Sequence, residues 1–165
     1  MEAKKAPIRQ SSRKTPQQLR IEENLKIEEL IKSNDDTRLG LEIKVFPEKG
    51  RGVVATRILM KNDFCLEYSG ELIDLKAARE REEKYSIEEG CFLFYFKSNN
   101  KNYCVDATPE SGRLGRLVNH SSKNPNLVMK VVMFEDQPRL ILKALVDIKP
   151  GTELLYDYGD RQGLF

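Results

Sequence analysis

From Leu41 onward the apolar residues recur at every second position, in runs too short for helices and cut by turn-forming residues. Leu41, Ile43 and Val45 alternate with Glu42 and Lys44, the pattern of a half-buried strand. Pro47 to Gly52 reads as a turn, and a short apolar strand starts at Val53. Residues 64–68 and 71–73 are two more strand candidates, parted at Ser69-Gly70. Residues 91–96 and 103–106 read as a hairpin across the polar Ser98-Asn99-Asn100-Lys101 loop, and residues 128–134 and 140–145 as another around Asp136-Gln137-Pro138. Lys149-Pro150-Gly151-Thr152 suits a type II turn, with Pro and Gly at its central positions. The chain shows no internal repeat, no strand–helix alternation and no dinucleotide fingerprint. The pattern predicts a mostly β protein of small sheets with few helices.

Two helices interrupt this pattern. Thr15 opens the first, with Pro16 at its first position and Gln18 placed to complete a capping box. Leu19, Ile27, Leu30 and Ile31 fall on one side of the wheel but Ile21 and Leu25 on the other, so this helix is expected to pack at one end only. Ser33-Asn34-Asp35-Asp36 ends it. A second, charged helix runs from Asp74 as N-cap to about Tyr85. Before the first helix, residues 1–14 carry Lys4, Lys5, Arg9, Arg13 and Lys14 against a single acid, Glu2. Such a segment cannot bury enough surface to fold alone and is expected to be a disordered tail; the alternative is an arm that touches DNA phosphate or an acidic partner.

With 165 residues the chain has room for one domain with an ordinary core. Apolar residues make up 39% and charged residues 33%, and no run approaches the roughly 20 apolar residues that a membrane helix needs. No signal peptide precedes the domain, so an intracellular, monomeric protein with no membrane partner is expected. Cys65, Cys91 and Cys104 form an odd set without Cys-x-x-Cys spacing, which argues for neither a disulfide framework nor a metal site. All three lie in apolar or aromatic runs and are expected to be buried thiols. A net charge of +2 is too small to demand a nucleic-acid partner.

Two stretches carry the chemistry. Arg113-Leu-Gly-Arg-Leu-Val-Asn-His-Ser121 sets Asn119 beside His120 at the end of a short apolar run. Glu153-Leu-Leu-Tyr-Asp-Tyr-Gly159 carries Tyr156 and Tyr158, whose rings project from one face of an extended strand. His120 is the only histidine, so it has no second histidine with which to build a metal cage, and no Ser-His or Cys-His pairing is evident. Chemistry here must use amide, backbone and phenol groups.

Together these stretches resemble the SET domain of protein lysine methyltransferases. Asn119-His120-Ser121 matches the family's Asn-His-Ser motif, and residues 153–158 match its glutamate, apolar pair and tyrosine segment. Lys49-Gly50-Arg51-Gly52 and Glu67-Tyr68-Ser69-Gly70 match two further motifs, in the family's order, over roughly residues 41 to 160. The resemblance implies the SET fold, in which the C-terminal segment threads beneath the Asn-His loop as a pseudoknot, and S-adenosyl-L-methionine as cofactor. It implies that Asn119 and His120 lie against the cofactor and that the Lys49-Gly50-Arg51 loop closes over its methionine end. Tyr68, Tyr156 and Tyr158 then line a lysine channel and act as the catalytic residues, with Tyr156 as the switch that sets methylation number.

Within the family the match is closest to the PR-Set type, which monomethylates lysine 20 of histone H4. Gly90-Cys91, Tyr95-Phe96, residues 103–108, residues 113–117 and residues 154–160 carry that likeness. It adds Cys91 and Tyr156 as substrate contacts and places Phe92, where the subfamily has tyrosine, at a position expected to offer the cofactor its backbone. The implied partners are the histone H4 tail and the nucleosome, with DNA phosphate contacts by the basic arm, and the implied location is chromatin in the nucleus. The implied layout is a tail over 1–14, a flanking helix over 15–36, a SET domain over 37–160 and the start of a post-SET segment over 161–165. That segment is where the family covers the adenine with an aromatic residue; here the chain has no tryptophan, and either Phe165 supplies part of that cover or the segment ends early and cofactor binding is weakened. The alternatives are a SET enzyme for another histone or non-histone lysine, and a weakly catalytic SET module that binds chromatin.

Overall fold

The computed structural model describes residues 13–88 and 90–159. Residues 1–12 of the expected tail over 1–14, the expected post-SET segment over 161–165 and Phe165 within it lie outside the described residues. The chain forms two compact units that divide between Ser33 and Asn34.

The first unit is helix α1 (Pro16–Ser33). It starts as the spacing predicts: the Gln18 N–H donates to Thr15 Oγ1 at 3.2 Å, and the Thr15 N–H donates to Gln18 Oε1 at 2.8 Å. This reciprocal pair satisfies two donors that the helix start leaves open. Ile27 and Ile31 are buried whereas Leu19, Ile21 and Leu25 are exposed, so burial is confined to the C-terminal half.

Among its described residues the second unit holds ten strands and one α-helix: β1 (Leu41–Phe46), β2 (Gly50–Ala55), β3 (Phe64–Glu67), β4 (Glu71–Ile73), α2 (Leu75–Glu82), β5 (Leu93–Ser98), β6 (Lys101–Asp106), β7 (Asn119–His120), β8 (Leu127–Phe134), β9 (Gln137–Ala144) and β10 (Leu155–Tyr156). They form a two-stranded sheet β1-β2, a three-stranded sheet β4-β6-β5 and a five-stranded sheet β3-β9-β8-β10-β7. Helix α2 is capped as expected, with the Ala77 N–H donating to Asp74 Oδ1 at 2.8 Å, but it ends at Glu82, short of Tyr85.

Local turn chemistry sets the hairpins. Asn99 and Asn100 (φ 48° and 60°) and Glu135 and Asp136 (φ 48° and 61°) make tight turns with both central residues left-handed, which suits the right-handed twist of the flanking strands. The second turn thus sits earlier than Asp136-Gln137-Pro138. Pro138 belongs to β9 opposite Met133, beyond the stretch 141–143 that pairs with β3, where a missing N–H costs little. The Lys149–Thr152 turn is closed by the Thr152 N–H on Lys149 O at 3.2 Å, with Gly151 at φ 83°. The β1–β2 turn is shorter than expected: Phe46 pairs with Gly50, and β2 begins there, not at Val53. Gly50 takes φ 76°, a conformation glycine adopts without a β-carbon penalty.

The core is centred on β9, whose Leu140, Ile141 and Leu142 are all fully buried, so both faces of that strand are covered. Leu66, Leu127 and Leu154 pack into the same interior, and each such side chain contributes roughly 1.5–3 kcal/mol. Strand β1 departs from its expected half-burial. Ile43 and Val45 are 49% and 71% exposed, because β1 pairs with β2 alone and its apolar side is left open.

One buried charge network fixes the backbone leading into β7. The Arg113 guanidinium donates to Asp36 at 3.1 Å, Glu67 at 3.2 Å and Ser69 at 3.1 Å, and also to Asn34. Burial alone would lower its pKa, but the carboxylates of Asp36 and Glu67 outweigh that and raise it. Next to it, the 3-10 turn Gly115–Leu117 lies on β3 so closely that a β-carbon on Gly115 would stand 2.2 Å from the Glu67 carbonyl oxygen.

Candidate functional site

Strand β10 lies between β8 and β7 and runs parallel to both. Leu155 pairs with Asn119 and Tyr156 with His120, so the two chemistry-bearing stretches meet residue by residue. The Ser121 N–H donates to the Tyr156 carbonyl at 3.1 Å. Just past the strand, the Tyr158 N–H donates to His120 Nδ1 at 3.0 Å, and their rings stand 4.9 Å apart. An Nδ1 that accepts this bond places the proton of the neutral ring on Nε2. The Tyr156 and Tyr158 rings are 4.6 Å apart and tilted, as the two-residue spacing predicts. The outer part of Tyr158 faces solvent, but its hydroxyl turns inward and donates to the Val118 carbonyl at 2.8 Å. Burial raises that phenol's pKa.

Those tyrosines form one side of a narrow cavity of about 180 Å³, lined also by Tyr68, Cys91, Phe92, Leu93, Phe94 and Arg116. Tyr68 is buried; its hydroxyl donates to the Phe92 carbonyl at 3.2 Å and its ring lies 5.7 Å from Phe94. Burial moves the Tyr68 phenol far above the ordinary range, with the neighbouring Tyr158 acting in the same direction. Among the described residues no carboxylate lines this cavity. Its one charged lining residue is Arg116, which is 6% exposed and lays its guanidinium 4.2 Å from the centre of the Phe92 ring. Arg116 Nε donates to the Ala107 carbonyl at 2.7 Å and one terminal nitrogen to the Thr108 carbonyl at 2.9 Å; the other terminal nitrogen stands 2.8 Å from Glu110.

Phe92 is fixed equally firmly. Its N–H donates to Thr108 Oγ1 at 3.0 Å, and its carbonyl accepts from the Ala107 N–H at 2.9 Å as well as from Tyr68. What Phe92 presents outward is therefore its ring. Thr108 is held in turn by Asp106, which accepts the Thr108 N–H at 3.0 Å. Burial pushes the Asp106 carboxyl up, but hydrogen bonds from Tyr85 and Arg81 more than offset this and hold it below the usual range.

Phe92 and Arg116 also line a second, wider cavity of about 430 Å³ with Arg51, Tyr85, Thr108, Pro109 and Glu110. Arg51 forms an ion pair with Glu110 at its rim. The loop that carries Arg51 is tied to β7: Asn119 Nδ2 donates to the Arg51 carbonyl at 3.2 Å and to Glu153 Oε1 at 2.9 Å. The other Glu153 oxygen accepts from Lys49 Nζ at 2.8 Å. A β-carbon on Gly52 would stand 2.8 Å from Asn119 Nδ2 and 2.9 Å from Glu153 Oε1, so a larger residue here would displace those side chains from their present places. A β-carbon at Gly50 would meet nothing within 4 Å, which leaves open space beside that backbone.

The structure thus brings Tyr68, Cys91, Phe92, Tyr156 and Tyr158 around one cavity and joins it through Phe92 to Arg51. Asn119, His120, Lys49 and Gly50 line neither cavity; Asn119, His120 and Lys49 touch residues that do or brace the loop between them. Cys91 departs from expectation: it is exposed at the channel, while Cys65 and Cys104 are buried, with thiols pushed up to about 12 chiefly by burial. Sequence reasoning did not single out Arg116 or Glu153, although both lie inside the quoted motifs. An arginine and a glutamate read as surface residues until their burial is known.

Among known proteins, the chain matches the SET domain family over residues 50–159. It is 45% identical over 157 residues to the histone-lysine N-methyltransferase Set8 of Drosophila melanogaster, covering 94% of this chain and 22% of that protein. The crystal structure of CpSET8 from Cryptosporidium superposes with a TM-score of 0.69 at 52% identity, covering 73% of this chain and 57% of that one. A structure of ctPRC2 in an autoinhibited conformation bound to S-adenosylmethionine gives a TM-score of 0.60 at 30% identity, over 73% of this chain and 15% of that one. Small sheets, a C-terminal strand paired beside Asn119-His120 and this match over two thirds of the sequence lead to one assignment: the chain belongs to the SET domain family.

Proposed function

We propose that this chain is an S-adenosyl-L-methionine-dependent protein-lysine N-methyltransferase that monomethylates lysine 20 of histone H4 in nucleosomes, in the nucleus. The carrying observation is that a narrow aromatic cavity and a wider polar-rimmed one meet at Phe92 and Arg116. That arrangement suits a reaction in which a slender side chain and a bulky donor meet end to end. The similarity to Set8, named a histone-lysine N-methyltransferase, supports the substrate class.

The residues present fit the cofactor. Open space beside the Gly50 backbone and the close Gly52–Asn119 approach give a loop that can lie on a ligand. Lys49, Gly50, Arg51, Phe92, Asn119 and His120 would hold it, Phe92 through its ring. When bound, S-adenosylmethionine supplies a sulfonium-activated methyl group for in-line transfer to a lysine amine.

This chain's own contribution is to admit the lysine as a neutral amine. Holding a lysine of pKa near 10.4 neutral at pH 7 costs about 4.6 kcal/mol in water. The channel disfavours the ammonium by desolvation, because its lining is mostly aromatic and apolar, and the one cation beside it, Arg116, is paired with Glu110. Tyr68, Tyr156 and Tyr158 exclude water and align the amine, and Cys91 and Tyr156 contact the incoming side chain. Tyr158 and Tyr68 both donate to backbone carbonyls, so the walls are preorganised before substrate enters.

The test is to incubate the chain with recombinant nucleosomes and the cofactor, then map methyl groups by mass spectrometry. The expected result is a single methyl on lysine 20 of histone H4. Methylation of another lysine overturns the substrate assignment, and no methylation of any histone overturns the activity.

A further inference from the structure

We infer that Glu153 is a positioning residue for the cofactor cleft, acting through Lys49 and Asn119; this rests on the functional reading above. The Glu153 side chain is 13% exposed, and its two carboxylate oxygens are divided between two elements. Oε1 accepts from Asn119 Nδ2 at 2.9 Å on β7, and Oε2 accepts from Lys49 Nζ at 2.8 Å in the β1–β2 turn. The same Asn119 amide donates to the Arg51 carbonyl. One carboxylate therefore ties both ends of the Lys49-Gly50-Arg51 loop to the strand that carries Asn119 and His120.

The backbone of Glu153 is held without its side chain. Its carbonyl accepts from Asn126 Nδ2 at 2.8 Å, and the adjacent Leu154 N–H donates to the Val53 carbonyl at 2.8 Å. Losing the carboxylate leaves β10 seated while it frees the loop. A side chain serving only the fold would instead act on the strand it belongs to. A nearly buried carboxylate is costly unless paired, and here the cation that pairs with it sits in the turn beside the cleft. An amide in its place can accept from Asn119 but has no charge with which to hold the Lys49 ammonium. The packing at Gly52 agrees: a β-carbon there would stand 2.8 Å from Asn119 Nδ2 and 2.9 Å from Glu153 Oε1, so a larger residue would have to displace these same two side chains.

The experiment measures S-adenosylmethionine binding by calorimetry and apo thermal unfolding for the wild-type chain, Glu153→Gln, Lys49→Met and the double variant. Each single variant is expected to weaken cofactor binding about tenfold, the effect of one lost charged hydrogen bond. The double variant should be little worse than either single, because both remove the same contact. Glu153→Leu also strands the Asn119 amide and is expected to lose about a hundredfold. In turnover, the loss falls on cofactor KM and leaves peptide KM in place. Wild-type cofactor affinity in both single variants overturns the inference, as do losses that add in the double variant, or a fall in melting temperature with unchanged cofactor affinity. Should the wild-type chain itself give no heat with the cofactor, the functional reading fails and this inference falls with it; heat from wild type with no effect of the variants sinks the inference alone.

Discussion

In the narrow channel the polar atoms turn to the chain's own backbone, Tyr68 to the Phe92 carbonyl and Tyr158 to the Val118 carbonyl. Around the cleft beside it they turn to one another as charges, Arg51 to Glu110 at the rim and Lys49 to Glu153 in the loop behind it, with Lys49 and Arg51 each about half exposed. The first wall is set by packing and by hydrogen bonds to backbone carbonyls, those of the buried Arg116 among them, which salt reaches little. The second is set by ion pairs, which weaken as ionic strength rises. The difference matches what each side has to do. Under the proposed function, a wall that counts methyl groups would have to hold its shape to a fraction of an ångström, whereas a cleft that admits and releases a large charged ligand in each turnover would have to part and close again.

The largest expected effect breaks the channel. Tyr158→Phe removes the hydroxyl bound to Val118 and should lower kcat by about a hundredfold, with cofactor affinity within a few-fold of wild type; equal losses in both would erase the division between the two walls. Tyr156→Phe keeps the ring and removes a hydroxyl, making room for a methylated amine to turn its lone pair. A lost hydrogen bond of about 1–1.5 kcal/mol shifts the product ratio about tenfold toward dimethyl-lysine, read by time-resolved mass spectrometry on one peptide. A product that stays strictly monomethyl removes Tyr156 as the switch.

A smaller effect concerns ionisation. Burial raises the phenols of Tyr68 and Tyr158, so in the folded chain they stay protonated where an exposed tyrosine, near pKa 10, begins to ionise. Their contribution to stability is therefore fully present below about pH 10 and is lost as pH rises above that value toward the folded pKa. Tyrosinate absorbance at rising pH should show these two rings ionising after the exposed ones, and Tyr68→Phe should flatten the alkaline fall in melting temperature. The smallest effect lies at the cleft rim. Glu110→Gln removes an exposed pair and should change cofactor KM by no more than about threefold at low salt, a difference that vanishes near 0.5 M salt. A salt-independent change would mean that Glu110 acts through Arg116 and the channel instead.

Much of this architecture was legible in the residues. The Thr15–Gln18 box, the Asp74 cap and the Pro150-Gly151 turn are local chemistry, complete within a few positions, and each formed as written. Local chemistry could not say which faces would be covered. Leu41, Ile43 and Val45 have the alternation of a half-buried strand, yet burial depends on what lies opposite, and β1 has only β2 beside it. Cys91 fails for the same reason: its apolar surroundings line an opening. Strands β7 and β10 are too short for any period to register; only the motif match placed them together. Arg116 and Glu153 lay in plain view within those motifs, but their work depends on partners far away in sequence, Ala107 and Thr108 for one and Lys49 and Asn119 for the other.

The seating of β10 between β8 and β7 has a consequence for how this protein comes into being. Among the described residues β7 pairs with β10 alone, and His120 accepts from the backbone of Tyr158. A ribosome releases residues 41–144, with most of the core, well before it releases residues 155–158. During that interval the β3-β9-β8 part of the sheet can assemble by hairpins, but Asn119 and His120 have no strand to lie against, and the channel lacks two of its walls. Within residues 41–158 the site is thus completed after the core, and a chain cut just short of Leu155 would keep the β3-β9-β8 pairing while losing the strand against which Asn119 and His120 lie.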